Sequence, residues 1–253
     1  NASIYLHKQT QSANAKSLVA IMALQTVQGD TLQVSAAGED ADAAIKALVT
    51  LLAQGCGEAV EESVAPVETQ SPESSATLLR GVCASPGSAF GQVFQVAEPE
   101  LHIEEQGAGE SVEHAALSRA LLVATEALQV LQDKAVGSAQ AEIFRAHQEL
   151  LEDPTLLEQA HRLLTEGKSA AFAWNSATAA TAKLFLGLGS ALLAERAADL
   201  ADVGQRVLKL ILGIEDSAWV LPDRAIVIAE QLTPSQTAGL DTRKVLAVSY
   251  THL

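Results

Sequence analysis

The chain has 253 residues, 48% of them hydrophobic and 19% charged, which is typical of a globular protein with one large or two medium domains. Sixteen basic and thirty-one acidic residues give a formal net charge of -15. This charge argues against nucleic acid as a partner, because it repels phosphate. Cys56 and Cys83 have neither metal-site nor disulfide spacing, so a reducing compartment, the cytoplasm, is expected. No apolar run approaches the roughly 20 residues of a membrane-spanning helix.

Residues 1–57 predict a small α+β unit in the order strand, helix, strand, helix. The first strand is SIYLHK, whose apolar residues alternate, and a polar turn is expected after it. Ser17 stands before apolar residues at helical spacing, where a hydroxyl suits an N-cap or first-turn position. TLQVSA predicts the second strand, and an apolar stripe between Gly38 and Gly55 predicts the second helix.

Residues 58–77 predict a linker, because they contain five glutamates, two prolines, four serines and no basic residue. In residues 78–111 a strand, a Ser-Pro-Gly turn and a second strand are expected. Residues 112–213 have a helical pattern throughout, with a corner where Asp153 caps a helix that begins at Pro154. Strand character returns in residues 214–248, at AIVIAE and KVLAV, on either side of a short helix after Thr233. A helical block is therefore inserted into an α/β unit.

Several segments resemble one bacterial system. ANAKSLVAIMALQTVQGDTLQVSAAGEDADAAIKALVTLL is similar to the C-terminal two-thirds of HPr, the phosphocarrier of the phosphoenolpyruvate-dependent sugar phosphotransferase system. GVCASPGSAFG, AEIFRAHQELLEDPTL, ERAADLADVGQRVLKLILG and LTPSQTAGLDTRKVLA resemble, in this order, four blocks of the N-terminal domain of enzyme I. HPr followed by enzyme I resembles the fused multiphosphoryl transfer proteins of the fructose branch.

The resemblance implies a fold of two parts. The first is an incomplete open-faced β-sandwich of the HPr type, without the N-terminal strand and the active-site helix. After the linker comes the α/β swivelling domain of enzyme I, with an inserted helical bundle that binds HPr. It also implies a histidine relay from phosphoenolpyruvate through enzyme I and HPr to a fructose-type IIA domain, and indirectly to a membrane sugar permease.

The resemblance places the relay histidines outside the chain, so no catalytic and no metal-ligating residue is assigned. Magnesium and phosphoenolpyruvate belong to a barrel domain of the family, which also mediates dimerisation, and the fragment is expected to be truncated at both ends and inactive. The ending VSYTHL has no glycine pair before its histidine, so residues 249–253 are expected to lie outside the family pattern. His252 is therefore not assigned as the phosphohistidine.

Two sets of residues are docking candidates by resemblance. Ser17 matches a serine that a regulatory kinase phosphorylates in some bacteria, although a plain N-cap is an equal interpretation. Leu18, Val19 and Met22 match the apolar patch of HPr, with ordinary core as the alternative, and Ile21 is expected in the core. On the helical side the docking hypothesis includes the following residues: Phe144, His147, Leu150, Leu151 and Glu152. Its alternative is a packed corner between two helices.

The remaining candidates have structural interpretations. His7 is expected to be a half-exposed strand residue, and His102, His114 and His161 to be surface residues. Arg196, among acidic residues on a helix, is expected to be a solvated ion-pair partner.

Two other functions remain open beside the relay. The phosphodonor subunit of a dihydroxyacetone kinase also joins an HPr to an enzyme I piece, and a non-catalytic docking module would use the same surfaces for binding only.

Overall fold

The computed structural model describes residues 2–27, 29–54, 83, 85–96, 101–137, 139–214, 219–229, 232, 236–237 and 239–250. The described elements are, in chain order, β1 Ser3–Lys8, β2 Gln11–Asn14, α1 Leu18–Ala23, β3 Gln33–Ala37, α2 Ala41–Ala53, β4 Gln92–Gln95, α3 Glu110–Lys134, α4 Ala139–Leu151, α5 Pro154–Thr165, α6 Ala170–Gly187, α7 Ala191–Ile211, β5 Ala225–Ala229 and β6 Val245–Tyr250. The strand before the Ser-Pro-Gly turn and the helix after Thr233 fall largely outside the described residues.

The N-terminal unit is a three-stranded antiparallel sheet in the order β2-β1-β3. The polar turn predicted after β1 is present at Gln9 and Thr10, but the segment QSAN that follows it forms β2, a strand that was not predicted. Lys8 pairs with Gln11, which leaves a tight loop in which Gln9 has a φ of 54°. QSAN has no β-branched or aromatic residue, so its strand conformation comes from pairing with β1 rather than from propensity.

α2 lies on β3 and β1, but each of its residues is at least partly exposed. Val49, Leu51 and Leu52 are exposed apolar side chains on this helix. The core of the unit is correspondingly small and consists of Leu6, Ala13 and Leu24 with partly buried neighbours. A unit with so little buried surface depends on other contacts for its stability.

The helices α3 to α7 form a bundle with the largest described core. Side-chain caps define two of the helix starts. Asp153 accepts from backbone N–H groups of α5, and Ser169 accepts from Phe172 at the start of α6. Small residues on α6 let it pack closely on α7; at Gly204 an added Cβ would lie 3.1 Å from the hydroxyl of Thr178. The bundle matches the predicted helical region.

Trp174 is a central residue of this bundle. It is fully buried, and its indole N–H donates to the carbonyl of Gly204 at 3.1 Å. We expect Trp174→Phe to lower the free energy of unfolding by about 2 kcal/mol, because it opens a cavity and removes a buried hydrogen bond. Urea denaturation followed by circular dichroism measures this change. The control Trp219→Phe lies at a half-buried position beside Phe94 and should cost less than about 1 kcal/mol; equal effects would contradict the expectation.

The α/β part is a parallel sheet in the order β4-β5-β6. Leu221, Ala225 and Val227 form its buried cluster. Gly91 precedes β4, and an added Cβ there would meet the carbonyl oxygen of Arg224 at 1.9 Å, so the close pairing of β4 and β5 requires glycine. β6 continues through Tyr250, and its pairing therefore includes two residues of the segment predicted to be off-pattern.

None of the helices in the described part of the chain has the length and hydropathy to cross a membrane.

Candidate docking site on the helical bundle

The N-terminal unit contacts the bundle through α1, which packs against α4, α5 and α6. Ser17 and Val19 are 0% and 2% exposed. Val19 belongs to the same buried cluster as the bundle core, and Leu18 and Met22 pack against that cluster. Ile21 points the other way, into the small core of the N-terminal unit. α1 therefore has two apolar faces, one for each part of the chain.

A single carboxylate joins the two parts. Asp153 is 1% exposed and accepts from the backbone N–H of Thr155 at 2.9 Å, which caps α5. The same carboxylate accepts from the backbone N–H of Val19 at 2.9 Å, and from the hydroxyl of Ser17 at 2.9 and 3.0 Å to its two oxygens. Asp153 thus caps one helix in its own bundle and holds the first turn of α1 in the other unit.

The hydroxyl of Ser17 uses all of its hydrogen-bonding capacity at this contact. Its single proton goes to Asp153, so Thr155, whose Oγ1 lies 2.8 Å away, donates to Ser17. The remaining lone pair accepts from the backbone N–H of Ala20 at 2.9 Å and so caps α1. Ser17 is therefore an N-cap, as predicted, and a contact residue as well.

The docking residues predicted on the helical side differ in how deeply they are buried. Phe144, Leu150 and Leu151 are buried in the cluster that also contains Val19. Glu152 is exposed. His147 is fully buried, and its ring meets that of Phe144 edge to face. Because its ring is completely buried, His147 packs beneath the candidate docking surface and does not form part of its exposed face.

His147 belongs to a polar cluster between α4 and α7. Its Nε2 lies 3.5 Å from Asp199 and its Nδ1 lies 3.8 Å from Asp202. Arg196 donates to Asp199 at 2.7 Å, three residues away on α7. Burial by itself would raise the pKa of Asp199, but the hydrogen bonds from His147 and Arg196 outweigh it and lower that pKa below its usual value. The cluster fixes α4, and thus the corner that ends in Asp153, against α7.

Three further histidines in the described part of the chain have partners other than the contact between α1 and the bundle. His7 is in β1 and shares a 2.7 Å hydrogen bond with Ser35 on β3. His114 on α3 and His161 on α5 form a pair whose ring centroids are 4.9 Å apart. The sequence indicated surface positions for both but not the pairing, because contacts between helices have no signature in local spacing. Partial burial, and then the proximity of His114, lower the pKa of His161 below 6.5.

We expect this pair to make stability pH-dependent. The unfolded chain protonates His161 near pH 6.5, whereas the folded chain resists protonation until lower pH, so the free energy of unfolding should fall as the pH decreases below about 6.5. His161→Gln should reduce this loss, measured as the difference between urea midpoints at pH 7.5 and pH 5.0. His102→Gln, at an exposed position, should leave the difference as it is. An unchanged pH dependence in His161→Gln would contradict this expectation.

Among the described residues, no group of three or more His, Cys, Asp or Glu side chains is placed to hold a metal ion.

Comparison with known proteins identifies both parts of the chain. Residues 1–54 match the family model of the PTS HPr component phosphorylation site, and residues 80–196 match that of the PEP-utilising enzyme, N-terminal. The chain is 37% identical over 254 residues to a multiphosphoryl transfer protein of Rhodobacter capsulatus; the aligned region covers 95% of this chain and 31% of that protein. It is 35% identical over 181 residues to a phosphoenolpyruvate-protein phosphotransferase of Lactococcus lactis subsp. lactis; the aligned region covers 68% of this chain and 31% of that protein.

A solution structure of Enzyme I (nEIt) superimposes with a TM-score of 0.55 at 34% identity, over 66% of this chain and 70% of that one. The helical bundle inserted into an α/β unit is thus the enzyme I N-terminal fold. The chain spans about a third of the length of the two relatives, 31% in each case. It belongs to the transferase family of the multiphosphoryl transfer proteins and joins an HPr part to the N-terminal part of an enzyme I.

Proposed function

We propose that the chain is part of a phosphoryl relay of the phosphoenolpyruvate-dependent sugar phosphotransferase system, in which the enzyme I part passes a phosphoryl group to the HPr unit of the same chain. The observation that carries this proposal is the contact of α1 with the bundle through Ser17, Val19 and Asp153. The contact holds the donor and acceptor parts together. Transfer between two imidazoles needs mainly alignment and charge stabilisation, which a fixed contact helps to supply.

In this relay one nitrogen–phosphorus bond forms as another bond to phosphorus breaks. Phosphoenolpyruvate phosphorylates a histidine of enzyme I and leaves as pyruvate, and the phosphoryl group then passes from that nitrogen to a histidine nitrogen of HPr. We assign these histidines, the phosphoenolpyruvate site and its Mg²⁺ to parts of the protein outside the 253 residues, and we expect the chain alone to accept no phosphoryl group. The hydrogen bond of His7 to Ser35 and the burial of His147 support this assignment.

The next acceptor in the proposed relay is a fructose-type IIA domain, and through it a membrane sugar permease. The proposed compartment is the cytoplasm. Ser17 is proposed as a regulatory phosphorylation site, because a phosphate on its oxygen would stand against the buried carboxylate of Asp153 and separate the two parts. Dimerisation through a barrel domain outside the chain completes the proposed assembly.

The test uses the full-length gene product that contains this chain. It is incubated with Mg²⁺ and phosphoenolpyruvate labelled at phosphorus, and then cleaved in the segment 58–77 so that the two parts can be separated. We expect acid-labile, base-stable label on both pieces. Absence of label from both would contradict the relay and leave a docking module. Transfer onward to a dihydroxyacetone kinase instead of a IIA domain would support the phosphodonor alternative.

A further inference from the structure

We infer that the N-terminal unit occupies the HPr-docking surface of the bundle and thereby excludes a separate, free HPr protein from it. The inference rests on the proposed function, because it takes this surface as the place where HPr docks. The docking surface is defined here by Asp153 and Thr155 with the adjoining apolar ends of α4, α5 and α6. Occupation of this surface by the N-terminal unit makes the enzyme I part selective for the HPr unit of its own chain.

The first support is that the key acceptor has no capacity left for a second partner. Asp153 already receives two backbone N–H groups of α5, one backbone N–H of α1 and the Ser17 hydroxyl. Thr155 donates its hydroxyl proton to Ser17. A free HPr that used the same carboxylate would have to remove α1 first.

The second support is burial. Val19 lies in the bundle's own hydrophobic cluster, not in that of its unit, and Leu18 and Met22 flank it. Undocking would return this apolar surface to water at a cost of about 25 cal/mol per Å². The docking surface is therefore occupied by apolar side chains of α1 as well as by its hydrogen-bonding groups.

The third support is the covalent connection. Residues 55–82 join the two parts, and a link of this length gives an effective local concentration of about 1 mM. A free HPr at micromolar concentration competes against this local excess. Because the apparent dissociation constant increases as the accessible fraction of the surface falls, free HPr should bind the intact chain about 10- to 100-fold more weakly than a chain whose own contact is broken.

The experiment titrates a complete, separately encoded HPr protein into the full 253-residue chain by calorimetry. Val19→Asp is expected to break the internal contact while every residue of the bundle keeps its identity, and Met22→Asp should do so independently. Val27→Asp is the matched control, because it introduces the same side chain at a position that is 69% exposed. Circular dichroism establishes that each variant keeps its helices.

We expect Val19→Asp and Met22→Asp to bind free HPr at least about 10-fold more tightly than the wild-type chain and Val27→Asp. Adding Thr155→Glu to Val19→Asp should abolish that binding, which would locate it on the docking surface. Equal affinity in the wild-type chain and the three single variants would overturn the exclusion while leaving HPr docking on the bundle intact. If no variant binds HPr, both the exclusion and the docking role fail.

Discussion

Asp153→Ala is expected to destabilise the bundle by about 3 kcal/mol and to release the N-terminal unit. The substitution removes the cap of α5, which is worth about 1 to 2 kcal/mol. It also removes the acceptor of the Val19 backbone N–H and of the Ser17 hydroxyl. Each loss would cost about 1 to 3 kcal/mol if the group stayed buried, so α1 is expected to leave the bundle, and the loss of its contacts adds at least about 1 kcal/mol. Urea denaturation followed by helical circular dichroism measures the first effect.

The control for Asp153→Ala is Ser169→Ala, which removes the cap of α6 and touches no residue of the N-terminal unit. The hydroxyl of Ser169 accepts from Phe172 and donates to the carbonyl of Glu104, within the enzyme I part. Its loss should cost about 1 kcal/mol and leave α1 in place. If Asp153→Ala costs no more than Ser169→Ala, the carboxylate would be an ordinary cap and not the link between the two parts.

Ser17→Asp is expected to open the contact between the two parts. It places a second carboxylate about 3 Å from that of Asp153, where little water can screen the repulsion. Leaving an uncompensated charge in a buried site costs about 3 to 5 kcal/mol, so the open form should predominate. Hydrogen–deuterium exchange of α1 should accelerate by about 100-fold or more, whereas exchange in α6 and α7 should not change.

The matched control is Ser12→Asp, the same substitution at an exposed position in β2. It should leave exchange in α1 at the wild-type rate. Slow exchange of α1 in both variants would exclude Ser17 as a point at which phosphorylation could regulate docking. Fast exchange in both would indicate that the N-terminal unit loosens for a reason unrelated to Asp153.

The sequence predicted most elements because their signals are local. The helical block, the Asp153–Pro154 corner and the strands at SIYLHK, AIVIAE and KVLAV all follow from periodicity, caps and propensity. β2 was not predicted, because QSAN becomes a strand only by pairing with β1, which is a tertiary effect.

Each side of the candidate docking site could be predicted from the sequence separately, but the contact between the two sides could not. Ser17 was correctly predicted as an N-cap, and Asp153 as the cap of α5, each from its own helix. That Asp153 also accepts from Ser17 and Val19 is a contact across 136 and 134 positions of the chain, which no local pattern encodes. Thr155 was missed for the same reason. The full burial of His147 depends likewise on where α7 packs.

The most direct test of the account is an NMR measurement on Met22, which is the single methionine of the chain. Selective ¹³C labelling of methionine methyl groups gives one native resonance, and a retained start methionine would add a separate sharp peak. Because Met22 packs against the bundle core, its methyl should show nuclear Overhauser effects to bundle side chains and should relax like the interior of a large rigid body. A narrow, fast-moving resonance with effects only to the N-terminal unit would contradict docking of α1 on the bundle.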